Sequence, residues 1–304
     1  MKFTDITEAI AWITSRRNTH YSFEHFQKVC HLKGDPQDSL YTIHVAGTDG
    51  KGSTVSYLSF LLRSQGYKVG TFTSPHYLVH QDRIRINNTN IPDEDFLNIL
   101  NRNLDLFLEQ DLSMFEMDYL IMCDYFLQEK VDIAVVEVGL GGRLDSTNVV
   151  TSPALSIITT IGYDHMDRLG NTLEEICAEK CGIIKENSRV LIGHLEPSCA
   201  EIAEECAKKH RCVFYELGDY ENLGNRRFRF QNATYQISSY AGYQLHNASL
   251  ALYGLRIIAD DLGFTIDQKA AETALKEAVW QCRFEIVREN PRVKMMGSCL
   301  PILY

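Results

Sequence analysis

The chain has 304 residues, with 30 Lys and Arg against 40 Asp and Glu, a formal net charge of -10 and 45% hydrophobic residues. That apolar share suits a globular protein with a large core, and the acidic balance is at odds with a general nucleic-acid binder. No apolar run approaches the roughly 18 residues needed to span a bilayer, and Asp5 and Glu8 near the start are foreign to a secretory signal. The nine cysteines are scattered. Cys177 and Cys181 stand four apart, a spacing open to a metal, but small buried thiols in a reducing cytoplasm are the simpler reading.

In chain order, the pattern predicts a buried strand over Tyr41–Ala46, a helix over Ser53–Gln65 and a strand over Lys68–Thr73. Pro92–Glu109 opens with proline and acids and carries Phe96, Ile99, Leu100, Leu104 and Leu108 on one face, which predicts a helix. A second helix follows over Phe115–Gln128, then apolar strands over Val131–Val138 and Ala154–Ile161. Leu173–Ile184 reads as a helix, Arg189–Ile192 as a strand and Ser198–Lys209 as a helix. Arg226–Ser238 alternates in the manner of a β-hairpin, and helices are expected over His246–Leu262 and Lys269–Ala278. The alternation implies an α/β fold: a mostly parallel sheet with helices on both faces, plus a small hairpin region. One domain is expected over residues 1–292, with residues 293–304 as an irregular tail.

The segment Gly47-Thr48-Asp49-Gly50-Lys51-Gly52-Ser53 follows a strand and opens a helix. Such a loop lets backbone N–H groups approach phosphates, while Lys51 adds a positive charge and a hydroxyl in the first helical turn can reach Mg²⁺. Gly52 separates Lys51 from Ser53, so the general G-x-x-x-x-G-K-[ST] pattern is not met. The alternative is a glycine-rich strand-to-helix turn without a ligand. Glu137 is an acid at the end of an apolar strand, and needs a metal or a partner such as Arg143. His165 and Lys180, taken alone, read as a structural histidine and a solvated lysine.

The blocks Ile43–Ser53, Gly34-Asp35-Pro36-Gln37, Thr73-Ser74-Pro75-His76, Asp82–Asn87, Val136–Asn148, Ile161–His165, Leu169-Gly170, Glu179–Lys185, Tyr243–Ala248 and Arg283-Phe284-Glu285 occur in this order. Together they resemble the folylpolyglutamate and dihydrofolate synthases of the Mur ligase superfamily, from about Phe23 to Val293. The resemblance implies a P-loop NTPase-like fold and an ATP-dependent ligase. ATP would phosphorylate the carboxylate of dihydropteroate or of a reduced folate, and L-glutamate would attack the acyl phosphate.

It implies that Gly47, Thr48, Asp49, Gly50, Lys51, Gly52, Ser53, Asn247 and Arg283 contact ATP. Ser74 and Glu137 would hold one Mg²⁺ and His165 a second. Lys180 would be carbamylated, and Lys51, His165 and Lys180 would carry the catalytic roles. The expected setting is a cytoplasmic monomer acting on small molecules, with no nucleic acid or membrane. Two departures stand out. Asp49 replaces the family's Asn, and the resemblance ends at Val293, before the Asp-Gly-Ala-His-Asn motif and Rossmann-like domain that the family carries next. A nucleotide-binding remnant without ligation is the competing expectation, and a P-loop phosphotransferase is a third.

Overall fold

The computed structural model describes residues 2–17 and 21–279, and the backbone of 285–289 and 292–295. Its elements are α1 (Ile6–Ser15), α2 (Phe23–Leu32), β1 (Thr42–Ala46), α3 (Lys51–Ser64), β2 (Val69–Phe72), β3 (Ile84–Ile86), β4 (Thr89–Asn90), α4 (Asp93–Glu109), α5 (Met114–Gln128) and β5 (Ile133–Glu137). There follow β6 (Leu155–Ile158), α6 (Met166–Leu169), α7 (Leu173–Cys181), β7 (Arg189–Ile192), α8 (Pro197–Lys209), β8 (Val213–Glu216), β9 (Tyr220–Gly224), β10 (Arg227–Phe230), β11 (Ala233–Gln236), α9 (Gln244–Leu262), α10 (Gln268–Glu277), β12 (Glu285–Glu289) and β13 (Arg292–Met295).

Eight strands form one sheet in the order β4-β3-β2-β5-β1-β6-β7-β8. The pairs from β2 to β8 are parallel, and β3 and β4 add an antiparallel margin. The central strands are buried on both faces, as a sheet covered by helices must be. Their alternation divides the core. Ile133 and Val135 of β5 face the cluster built with Val55, Leu58 and Leu62 of α3 and Leu255 and Ile258 of α9. Ala134 and Val136 face the opposite cluster, with Phe96 and Leu100 of α4 and Leu120 and Ile121 of α5. Cys177 and Cys181 are buried in a third cluster with Ile158, Val190 and Ile192.

The predicted hairpin is real but belongs to a three-stranded antiparallel sheet, β11-β10-β9. Its Phe228 and Phe230 point into the α3/α9 core, while Arg227 and Arg229 point out. The tail read as irregular is strand as far as Met295, where β13 pairs with β12; residues 296–304 lie outside the described residues. No described helix is long and apolar enough to cross a membrane.

The chain leaves β1 for β2 on one side and later crosses from β5 to β6 on the other, with β1 between them. A crevice therefore opens at the carboxyl ends of β1, β5 and β6, where open parallel sheets take ligands. In register, Val45 lies beside Glu137 and Ala46 beside Ile158.

Candidate active site

Gly47 leaves β1 at φ 151° and Gly50 enters α3 at φ 83°. Both positions exclude a side chain sterically as well. A Cβ on Gly47 would lie 1.9 Å from Thr159 Oγ1, and one on Gly50 would lie 2.4 Å from Asn247 Oδ1. These close approaches bring the loop against the end of β6 and the start of α9. The first turn of α3 then presents its unpaired backbone N–H groups and the positive end of its dipole to the crevice.

The loop is braced on two sides. The Thr48 N–H donates to Thr160 O at 2.8 Å. Thr159 Oγ1 donates to Asp49 O at 2.5 Å and the Asp49 N–H donates to Thr160 Oγ1 at 3.0 Å. Gly162 N–H donates to Thr48 Oγ1 at 2.9 Å. From α9, Gln244 Nε2 donates to Ser53 Oγ at 3.1 Å, and Asn247 Nδ2 donates to Gln244 Oε1 at 3.0 Å. The Asp49 side chain itself is exposed.

Two lysines meet at one oxygen. Lys51 Nζ donates to Gly47 O and Thr48 O, both at 3.0 Å, and Lys180 Nζ donates to the same Gly47 O at 3.0 Å. Lys180 is 3% exposed, which corrects its reading as a solvated surface lysine. The packing of α7 against the loop decides this, and its neighbours along the chain do not reveal it. Burial, with the Lys51 charge second, lowers the Lys180 ammonium to about 8, against the opposing pull of Asp164 and Asp49.

Glu137 is buried at the end of β5 and accepts the Ser74 N–H at 3.3 Å. Arg143, weighed as its partner, pairs with Glu179 at 2.8 Å. Ser53 and Glu137 line one cleft and Ser74 adjoins Glu137; their oxygens are the donors a hard cation prefers, so these residues fit Mg²⁺. His165 stands apart: it is exposed, at φ 48°, with its ring 3.6 Å from Asp164. Among the described residues, no three His, Cys, Asp or Glu side chains are gathered as a metal cage. Arg283 lies outside the described residues.

The loop, Glu137, Thr160 and Asn247 line a cleft of about 720 Å³. Its far wall was not read from the sequence as functional. His194 stacks on Tyr220 with ring centroids 5.8 Å apart and planes 2° apart, and His246 meets His194 edge-on at 5.3 Å. Tyr243 completes the lining. Flat rings beside a phosphate-type loop can stack a heterocyclic base. His246 and Tyr243 lay within a block already singled out; His194 and Tyr220 gave no local signal.

A family profile described as the Mur ligase middle domain matches residues 45–258. The dihydrofolate synthase/folylpolyglutamate synthase of Bacillus subtilis is 33% identical, the match covering 97% of this chain and 74% of that protein. The folylpolyglutamate synthase of Lacticaseibacillus casei is 29% identical over the same shares. The apo form of the L. casei enzyme superposes with a TM-score of 0.89 at 28% identity, covering 97% of this chain and 77% of that one. An FPGS–AMPPCP–folate complex gives the same TM-score, identity and shares. The phosphate-type loop at the switch point of the sheet thus agrees with the comparisons: the chain belongs to the Mur ligase family, in its folylpolyglutamate and dihydrofolate synthase branch.

Proposed function

We propose that this protein is an ATP-dependent ligase that joins L-glutamate to the carboxylate of a reduced folate or of dihydropteroate. The observation that carries this reading is the convergence of Lys51 and Lys180 on the Gly47 carbonyl, next to a cleft that Lys51 lines together with the buried Glu137. The relatives' names and the complexes with AMPPCP and folate support the choice of ATP and folate. In this reading the γ-phosphoryl group passes to the substrate carboxylate, releasing ADP. The amine of glutamate then attacks the acyl carbon, phosphate leaves with the C–O bond electrons, and the amine loses a proton.

The protein's part is positioning and charge stabilisation. The N–H groups of the 47–53 loop cradle the phosphates, and Lys51 swings from its carbonyl partners to the γ-phosphate. Asn247 and Gln244 hold the loop from α9, and the His194–Tyr220–His246 wall takes the base. Ser53, Ser74 and Glu137 would hold Mg²⁺, which supplies charge neutralisation across the transferring phosphoryl group. His165 would serve a second ion. Lys180 suits carbamylation: near 8, about one amine in five is neutral at pH 7.4, against roughly one in a thousand for an ordinary lysine.

The test is incorporation of labelled glutamate into folate by the purified protein with MgATP. Tetrahydrofolate and dihydropteroate are to be offered separately to rank the acceptors. Incorporation that needs both ATP and the pterin compound is expected. ATP bound but no glutamate incorporated with either acceptor would leave only nucleotide binding. Loss of activity in Lys180→Ala, restored by added short-chain carboxylates, would support the carbamate.

A further inference from the structure

The segment between β2 and β3 is tied down by charged groups that the reaction itself does not use. Asp82 accepts the backbone N–H groups of Tyr77 at 3.0 Å, Leu78 at 2.8 Å and Val79 at 3.2 Å. That fixes the far end of the segment, where Leu78 and Val79 are exposed. The near end, which carries Ser74, depends on Arg83. Its guanidinium is 3% exposed. Nη1 donates to Ser74 Oγ at 3.3 Å, and Nη2 faces His76 Nδ1 at 3.5 Å. On its other side Nε lies 3.5 Å from Asp118 Oδ2 of α5. The second oxygen of Asp118 meets His80 Nε2 at 2.7 Å. Asp118 is fully buried, among apolar neighbours on α5 such as Met117, Leu120 and Ile121.

We propose that Arg83, anchored on Asp118, is a positioning residue that holds the Ser74 hydroxyl beside Glu137. The inference rests on the reading that Ser74 and Glu137 form the magnesium-binding wall. Stability alone is a poor reason for the pair, because apolar residues of similar volume usually serve a core as well as a buried ion pair does. Geometry supplies a better one. Arg83 Nε faces Asp118 as a charge contact at 3.5 Å without a hydrogen bond, and the planar fork leaves Nη1 to reach the Ser74 hydroxyl, whereas a lysine offers a single nitrogen. Ser74 is thereby fixed twice: its N–H by Glu137 and its Oγ by Arg83. The relay runs from α5 through Arg83 to the carboxyl end of β5, so the metal wall is set by a helix that lines no part of the cleft.

The test is a double-mutant cycle read by calorimetric ATP binding across a Mg²⁺ series, with melting temperature as the control for folding. Arg83→Lys keeps the charge for Asp118 but loses the second branch. It should raise the Mg²⁺ needed for half-maximal ATP binding by roughly tenfold, the scale of one charge-assisted hydrogen bond, and leave metal-free ATP binding unchanged. Asp118→Asn should act in the same direction. In a Ser74→Ala background neither change should add to the shift, because both act through Ser74. Additive shifts would overturn the proposal. So would a loss of cooperative melting in both variants, which would assign the cluster to folding. No Mg²⁺ effect in Ser74→Ala alone would instead overturn the reading of the metal wall.

Discussion

The loop after β1 and the segment after β6 were both expected to carry reacting groups, yet they are built differently. Residues 47–53 are gripped by Thr159, Thr160, Gln244 and Asn247, with glycines where any side chain would collide. The segment that carries His165 leaves its ring exposed, 3.6 Å from a single neighbouring carboxylate. One part is organised by the fold in advance. The other leaves its imidazole in solvent, while the backbone leading to it is tied to that same loop through Thr159, Thr160 and Gly162. Preorganised phosphate sites give up little order on binding, whereas groups held loosely have that cost still to meet.

The contrast is broken most severely at Gly47. Gly47→Ala forces a Cβ into Thr159 and should cost about 2–4 kcal/mol of stability, read as a fall in the urea midpoint. A neutral result would mean that the loop is not rigid. Next in size, Lys51→Ala should weaken MgATP binding by about a hundredfold, since the loop loses the one cation in its own sequence. Equal affinities by calorimetry would remove the loop from the nucleotide site.

The strand beneath the loop offers a pH test of the same rigidity. His44 of β1 is fully buried, and burial, with Lys185 second, pushes its imidazole down to about 3. The unfolded chain, with a histidine near 6.5, binds the proton first as pH falls. Stability present above pH 6.5 is therefore lost progressively towards pH 3, at up to about 1.4 kcal/mol per pH unit. His44→Gln should flatten that limb of the urea-midpoint profile between pH 6 and pH 4, and an unchanged slope would place the acid sensitivity elsewhere.

Smaller effects sharpen the comparison. Asp49 is exposed beside the phosphate-type loop, so Asp49→Asn should tighten MgATP binding by about two- to fivefold at low salt and less at high salt. Weaker binding would mean that the carboxylate is close to metal. Least of all, His165→Ala should change stability by less than about 0.5 kcal/mol. A larger loss in thermal melting would show that this segment is as well packed as the loop.

The parallel core was legible because its strands are short apolar runs, and the phosphate-type loop because its glycines and lysine follow one of them. What escaped is what tertiary contacts create. Helices α1 and α2 were not read, although Asp5 and Ser22 cap them by accepting the N–H groups of Glu8 and His25; each is a short mixed sequence, and only Ala9 and Ile13 of α1 and Phe26, Val29 and Cys30 of α2 are buried. Strand β9 contains Glu221, Asn222 and Gly224, and exists because β10 pairs with it. Lys180 differs from an ordinary helix lysine only through the carbonyl it reaches 133 residues away.

The margins of the large sheet bear on how the protein behaves when concentrated. An open sheet exposes unpaired backbone groups at its two outer strands, and these can recruit strands from other molecules. Here one outer strand, β4, is two residues long. The other, β8, has four residues and follows the basic run Lys208, Lys209, His210 and Arg211. Among the described residues, neither rim of this sheet offers a long apolar template for a strand of another molecule.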